Sequence, residues 1–185
     1  MPHKFAELAF TPAVRTIQES MGSRKAYAKG EGGPVHHDRL GAPEAGFIAL
    51  RDSFYMASVS ETGWPYIQHR GGPAGFVRVL DEQTLGFADF RGNRQYVSLG
   101  NLTGNDRVAL FFMDYPHQAR LKLLGRARAV AIEEQPELIA RLAMPDYPAR
   151  IERGILISVE AFDWNCSQHI TPRFTADDIA ALHIS

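Results

Sequence analysis

Residues 108–130, VALFFMDYPHQARLKLLGRARAV, carry two strand patterns that decide the fold class. Residues 108–113 form a continuous apolar run, which is typical of a strand buried on both faces. Apolar and charged residues then alternate over 121–130, which predicts a strand with one buried face and one solvated face. The segment therefore predicts consecutive strands in a mainly β protein.

Further strand patterns lie on both sides of this segment. They comprise a hairpin at 54–60 and 64–70, a second hairpin at 76–80 and 84–90, and an alternating stretch at 155–162. Short helices are predicted at 93–102, 133–143 and 175–182. Six or seven strands in mostly antiparallel order close well into a small barrel, whereas alternating βαβ units are not visible.

The N-terminal region has a different pattern. Thr11 followed by Pro12 predicts a helix start, because a hydroxyl cap is followed by proline at the first helical position. Residues 29–43 are rich in glycine and proline and predict a loop. We therefore divide the chain into a helical arm with its glycine-rich loop, residues 1–42, and a barrel domain with a C-terminal helix, residues 43–185.

The composition excludes several classes of protein. Lys and Arg total 20 and Asp and Glu total 21, so the formal charge of −1 argues against binding nucleic acid by bulk electrostatics. A single cysteine forms no internal disulfide, which suits a reducing compartment. The longest apolar run, 108–113, is far shorter than the roughly 20 residues of a membrane span, and no signal peptide is visible at the N-terminus. We expect a cytoplasmic protein with no nucleic-acid or membrane partner.

A motif scan excludes several kinds of catalytic site. The chain has no Gly-x-Gly-x-x-Gly, no P-loop, no His-Glu-x-x-His and no Gly-x-Ser-x-Gly sequence. The lone cysteine also excludes a multi-cysteine zinc site. Binding residues must therefore be sought elsewhere, in polar clusters at strand ends.

The first two clusters follow the predicted hairpins. Gln68-His69-Arg70-Gly71 ends one strand, where glycine admits a ligand close to the backbone and arginine suits a planar or anionic partner. Asp89-Phe90-Arg91-Gly92-Asn93-Arg94-Gln95 lies at a strand-to-helix junction, and its arginines and free N–H groups form a plausible phosphate cradle. A surface strand end and a solvated helix cap remain open as alternatives, although a cap explains Asn93 better than both arginines.

Two more clusters lie in the second half of the chain. Gln118 and Arg120 open the 121–130 strand, and Arg120 shares its parity with other basic residues, so a solvated sheet face is the alternative. After the last strand come Trp164, Asn165, Cys166, Gln168 and His169. Tryptophan beside amide and imidazole groups can stack on and hydrogen-bond an aromatic ligand. Cys166 and His169 alone make a weak metal site, so we interpret Cys166 as a packing residue.

Taken together, the runs 47–72, 87–96 and 108–128 resemble the pyridoxamine 5'-phosphate oxidase-like family of FMN-binding split-barrel proteins. In that family an Arg-bearing strand follows a Gly-x-Pro turn, as it does here after Gly63-Trp64-Pro65. Asn93-Arg94-Gln95 stands where the family has its Ser-Arg-Lys phosphate segment, and Gln118 or Arg120 where a family glutamine reaches the flavin ring. The combination with Trp164 to His169 is similar to a bacterial branch of the superfamily.

The resemblance implies an α+β, mainly β fold: a six-stranded antiparallel split β-barrel with peripheral helices. It implies a homodimer with FMN at the interface, an FMN-dependent oxidoreductase activity on a small molecule, and NAD(P)H as a candidate electron donor. The implied cofactor-binding residues are Gln68, His69, Arg70, Gly71, Asp89, Arg91, Asn93, Arg94, Gln95, Gln118, Arg120, Trp164, Asn165, Gln168 and His169.

One departure from the family restricts the activity. The true oxidase carries an Arg-x-His-Asp-Arg-like segment near its C-terminus that grips pyridoxamine phosphate, whereas this chain has Trp164 to His169 there. We therefore expect flavin binding without vitamin B6 oxidation. The alternatives are a non-catalytic flavin or haem carrier or sensor, and a deazaflavin-dependent reductase on the same fold.

Overall fold

An antiparallel sheet of seven strands organises the fold in a computed structural model that describes residues 3–29, 36–164 and 167–182. The strands are β1 Ser53–Val59, β2 Pro65–Gly71, β3 Val77–Asp81, β4 Thr84–Phe90, β5 Arg107–Asp114, β6 Ala119–Val130 and β7 Ile151–Trp164. Their order across the sheet is β2-β1-β5-β6-β7-β4-β3. All seven predicted strand segments are confirmed, with boundaries shifted by a few residues.

The mainly β, α+β class is confirmed, and the prediction of a six-stranded antiparallel split β-barrel is corrected in two respects. The sheet has seven strands, and within the described residues no backbone ladder joins its edges, β2 and β3. The physical reason is that the two predicted hairpins attach to opposite sides of the central β5–β6–β7 unit. Each hairpin therefore leaves one free edge.

Side-chain contacts join the β1–β2 hairpin to β4, and among the described residues no backbone ladder joins them. The ring of Phe54 on β1 lies 5.4 Å from that of Phe87 on β4. Further along, Arg70 of β2 and Asp89 of β4 form an ion pair of 2.7 Å. We call this line of contact between β2 and β4 the seam. It shows that the sheet curls around an aromatic core until its two halves touch.

A close approach between β6 and β7 requires glycine. The pairing register of these strands shifts at Leu124 and Gly125. A Cβ atom at Gly125 would lie only 2.6 Å from the carbonyl oxygen of Ser158. A side chain at this position would therefore push the two longest strands of the sheet apart.

Seven helices in the described residues surround the sheet. They are α1 Lys4–Ala9, α2 Pro12–Ser20, α3 Arg24–Ala28, α4 Ala42–Ala49, α5 Val97–Gly104, α6 Pro136–Leu142 and α7 Ala176–Leu182. The predicted start of α2 is confirmed, because the Thr11 hydroxyl accepts a hydrogen bond from the Val14 N–H. Before α7, the Asp178 carboxylate accepts from the Thr175 N–H and the Thr175 hydroxyl accepts from the Asp178 N–H. No helix in these described ranges combines the length and apolarity needed to cross a membrane.

Two local predictions are wrong. The helix expected from residue 93 begins at Val97, because Arg94 and Tyr96 have left-handed backbone angles, φ of 61° and 55°, that interrupt a helix. The sequence predicts that β5 is buried on both faces, yet Ala109, Phe111 and Met113 are only half-buried in the single chain. Its second face is therefore an apolar surface open to a further partner or ligand.

The N-terminal arm packs against the end of β7. The N–H of Phe162 donates to the carbonyl of His37, and the imidazole of His3 lies 3.2 Å from the carboxylate of Asp163. The arm itself closes on this loop, because the Lys4 N–H donates to the His36 carbonyl. The arm thus covers the sheet near the start of β6 and the end of β7.

Candidate functional site

A cleft rich in arginine lies beside the seam and has a volume of about 70 Å³. The ends of β2 and β4, the loop before α5 and the start of β7 supply its walls. We call it the arginine cleft; its polar lining residues are Gln68, Arg70, Asp89, Arg94, Tyr96, Ser98, Glu152 and Arg153.

Asp89 is the central acid of the cleft. Its carboxylate accepts hydrogen bonds from Arg70 at 2.7 Å and from Arg153 at 2.8 Å. Asp89 and Arg153 are direct cross-strand partners on β4 and β7, and Asp89 is only 9% exposed. A buried carboxylate between two guanidinium groups fixes both arginines in place.

A second acid, Glu152, holds the outer part of the cleft. Its carboxylate accepts from Arg153 at 3.2 Å and from the Tyr96 hydroxyl at 3.1 Å, and Arg91 lies 3.9 Å away. The Tyr96 hydroxyl in turn accepts from Arg94, and this hydrogen bond raises the pKa of the Arg94 guanidinium. Four guanidinium groups thus meet two carboxylates, so the cluster carries a net charge of +2.

Two buried polar atoms in the cleft wall have no hydrogen-bond partner in the structure. They are Nε of Arg70 and Oγ of Ser98. Ser98 lies in the first turn of α5, where backbone N–H groups also lack partners within the helix. Because buried polar atoms in native proteins are almost always paired, these two atoms fit a site that an anionic ligand completes.

Several predicted site residues come together here. Gln68, Arg70, Asp89 and Arg94 line the cleft. The neighbouring loop holds Arg91, Asn93 and Gln95, and the Asn93 side chain accepts from the Gln95 N–H at 3.1 Å. Asn93 therefore stabilises the loop before α5, and the alternative interpretation of Asn93 as a helix cap is wrong, because α5 begins after Tyr96.

His69 lies on the other face of β2. Its ring packs against that of Tyr55, with 5.6 Å between centroids. Since successive strand residues point to opposite faces, His69 is separated from the cleft formed by Gln68 and Arg70. Gly71 ends the strand, paired with Ser53.

A second group of predicted residues borders a larger apolar cavity on the outer face of the sheet. This outer cavity has a volume of about 680 Å³ and includes Arg120 and His169 in its lining. Gln118 lies nearby and donates to the Ile170 carbonyl at 2.6 Å, which ties the segment after β7 to the start of β6. Gln168 is exposed in that segment, and Asn165 lies outside the described residues.

Trp164 is placed in neither cavity. Its indole N–H donates to Glu44 at 2.7 Å, and its ring packs edge-on against Phe47, 4.8 Å between centroids. It borders a third cavity, between the arm and the sheet. Within one chain, the predicted residues are therefore spread over three cavities, of which the second and third share Arg120.

Four residues of the cleft were not predicted from the sequence: Tyr96, Ser98, Glu152 and Arg153. Tyr96 and Ser98 directly follow the predicted phosphate segment, so extending that segment through the first helical turn would have found them. Glu152 and Arg153 reach the cleft only because β7 pairs with β4, which a single sequence does not reveal. Across the described ranges, no group of three or more His, Cys, Asp or Glu side chains could hold a metal ion.

The comparisons with known proteins place this geometry in a family. Residues 44–163 match the family model of pyridoxamine 5'-phosphate oxidase. The chain belongs to the pyridoxamine 5'-phosphate oxidase family. The predicted resemblance is confirmed, and the match includes every residue of the arginine cleft, whereas the N-terminal arm lies outside it.

Solved structures agree on the fold. HupZ from Group A Streptococcus superposes with a TM-score of 0.55 at 16% identity, over 73% of this chain and 100% of that one. A Lactobacillus delbrueckii protein with a provisional pyridoxamine 5'-phosphate oxidase designation gives 0.51 at 17% identity, over 68% and 94% of the two chains. At this identity the likeness establishes the fold alone. A search of curated proteins gave no significant match.

Proposed function

We propose that this chain binds FMN, with the phosphate in the arginine cleft, and acts as an FMN-dependent oxidoreductase on a small molecule. The observation that carries the proposal is the cleft itself. The charged cluster in and beside the cleft, with Arg91 counted, has a net charge of +2 that complements a phosphate dianion. Arg70 and Ser98 each offer a buried polar atom that has no partner among the described residues. Arginine forms strong charge-assisted hydrogen bonds to phosphate oxygens.

Different residues of the cleft would have different roles in binding the cofactor. Arg94 and the backbone at the start of α5 would hold the phosphate, together with Arg70 and Ser98. Asp89 and Glu152 would keep the arginines in place while leaving the positive excess. When bound, FMN would supply the exchange of electrons with the substrate, and the protein would supply binding, orientation and exclusion of water.

The proposal includes a homodimer in which a second copy completes the flavin site. Gln118, Arg120, Trp164, Gln168 and His169 do not line the arginine cleft, so we assign them to the ring side of the partner's cofactor. The outer cavity supports this arrangement, because its lining includes the exposed apolar side chains of Ile67 and Tyr55, and contiguous exposed apolar surface marks interaction sites. NAD(P)H is the proposed electron donor.

Titration of the apo-protein with FMN and riboflavin tests the proposal. We expect FMN to bind at least about tenfold more tightly, because only FMN carries the phosphate. Ser98→Ala should reduce this preference, whereas Ser167→Ala, which changes an exposed serine outside the cleft, should retain it. Equal affinities for FMN and riboflavin would show that the phosphate of FMN does not bind in the arginine cleft.

The same titration separates the alternatives. Binding of haem or a deazaflavin in place of FMN would contradict the choice of cofactor. Addition of NADPH to the FMN-loaded protein then tests the redox role. Persistent flavin absorbance with either nicotinamide donor would favour a carrier over a reductase that uses these donors.

A further inference from the structure

The third cavity lies between the N-terminal arm and the sheet and has a volume of about 500 Å³. We call it the arm chamber. Phe5, Phe10 and Tyr27 from the arm line one side, and Arg120, Lys122 and Trp164 from the sheet line the other. Its volume falls within the range of small-molecule sites in proteins, roughly 300–1,000 Å³.

Aromatic rings dominate the chamber walls. Phe10 and Tyr27 pack edge to face, with 5.3 Å between ring centroids. The N–H of Trp164 is already bonded to Glu44, so this ring offers the chamber apolar surface. Such walls suit a planar apolar ligand, because offset and edge-to-face contacts between rings are favourable.

One positive charge in the chamber is not neutralised. Lys122 pairs with Asp163 at 2.8 Å and lies over the Phe5 ring, and Asp163 also contacts His3. Arg120, in contrast, has no carboxylate within ion-pair distance among residues 3–29, 36–164 and 167–182. Its Nε is buried and has no hydrogen-bond partner within the described part of the chain.

We propose that the arm chamber binds an aromatic monocarboxylate, whose carboxylate pairs with Arg120 and whose ring packs against Phe10, Tyr27 and Trp164. A single unpaired guanidinium complements one negative charge, and it can satisfy a carboxylate with two parallel hydrogen bonds. A phosphate dianion fits the arginine cleft better, because the cluster there, with Arg91 beside the cleft counted, has an excess of two positive charges.

The position of the chamber connects it to the proposed reaction. Arg120 lines both the arm chamber and the outer cavity, where the partner's flavin ring is proposed to lie. The inference that this ligand is the substrate rests on the proposed function. The inference that the chamber binds such a ligand depends on the chamber alone. The arm lies outside the residues that match the family model, so it would adapt a shared fold to a particular ligand.

Calorimetric titration with 2-naphthoate and its neutral isostere 2-naphthamide tests the inference. We expect the carboxylate to bind at least about tenfold more tightly, and Arg120→Gln to abolish this difference while leaving the naphthamide affinity unchanged. Arg128→Gln, which removes an exposed arginine from the same strand, is the matched control and should behave like the wild type. Tyr27→Ala should weaken both probes.

Each titration is made with and without saturating FMN, and FMN binding is followed separately by flavin fluorescence. If naphthoate fails to bind in both states, or if Arg120→Gln leaves its affinity intact, the inference is wrong. If the wild-type protein binds naphthoate but does not bind FMN, the proposed function is contradicted and the inference about the chamber stands. If Arg120→Gln does not fold, an unchanged naphthoate affinity in Tyr27→Ala overturns the inference.

Discussion

Trp164 at the end of β7 donates its indole N–H to the carboxylate of Glu44 on α4, with 2.7 Å between Nε1 and Oε1. The same carboxylate accepts from the backbone N–H of Gly41 at 2.9 Å and so caps the helix. One buried acid thus fixes the start of α4 relative to the last strand. Contact of Trp164 with a flavin stays a prediction, and this bond shows that its N–H is used within its own chain.

Glu44→Ala should destabilise the fold by about 1–3 kcal/mol, because it removes the buried acceptor of two half-buried hydrogen bonds, those donated by Trp164 and Gly41. Urea unfolding measures the change. Glu137→Ala is the matched control, since Glu137 also lies in the first turn of a helix but is exposed. Equal effects of the two substitutions would show that the link to Trp164 contributes nothing.

Arg94→Ala should weaken FMN binding by roughly tenfold or more and leave riboflavin binding nearly unchanged, because Arg94 is proposed to contact only the phosphate. Fluorescence quenching of the flavin gives both dissociation constants. Arg128→Ala, a change of the same type outside the cleft, should leave both constants unaltered. If Arg94→Ala weakens the binding of FMN and riboflavin equally, Arg94 does not contact the phosphate.

Ile67→Glu should convert the proposed homodimer to a monomer, because it puts a charge into an apolar face that a second copy would cover. Light scattering after gel filtration measures the mass. Ile67 is 65% exposed in the single chain and Ile17 on α2 is 63% exposed, so Ile17→Glu is a closely matched control. A wild-type protein that is already monomeric at micromolar concentration would refute the proposed assembly.

Acid should destabilise the docking of the arm. Burial lowers the pKa of both His3 and His37 from the ordinary 6.5, and Asp163, which raises both pKa values, does not reverse this effect. The unfolded chain therefore binds more protons just below pH 6.5, so the stability contributed by these histidines is complete above that pH and falls as the pH decreases. Urea unfolding at about pH 7.5 and about pH 5.5 should show a smaller loss in His37→Gln than in the wild type.

The protein should not oxidise pyridoxamine phosphate at a useful rate. The segment that grips this substrate in the true oxidase is replaced here by Trp164 to His169 and the residues after it. Aldehyde formation by FMN-loaded protein in the presence of oxygen is the measurement. Turnover on the order of 1 s⁻¹ or faster, which is ordinary for an enzyme, would overturn this expectation.

The strands were predictable because their patterns are local. Residues 84–90 were located to the residue, since hydrophobic strand residues bounded by polar turns leave a clear signal. Closure of the sheet was not predictable, because it depends on which strand each hairpin joins. The same holds for the late start of α5, where left-handed angles at Arg94 and Tyr96 override a sequence that suits a helix.

The candidate site was predictable in part for the same reason. Arg70 and Arg94 belong to short polar segments at strand ends, and the structure places both in one cleft. Arg153 pairs with Asp89 across 64 residues of chain, and only the β4–β7 register brings them together. The arm chamber was missed because each of its walls, taken alone, has the composition of an ordinary amphipathic surface.

The seam has a consequence for how fast the protein would be degraded in a cell. Between β2 and β4 the described residues share side-chain contacts such as Arg70 with Asp89 and no backbone ladder, so local opening there costs less than elsewhere in the sheet. A phosphate ligand bound to both Arg70 and Arg94 would hold β2 against β4. At a ligand concentration a hundredfold above its dissociation constant, it would stabilise the closed form by about 2.7 kcal/mol. Proteases would then remove the empty protein faster than the loaded one, and its abundance would follow the supply of its ligand.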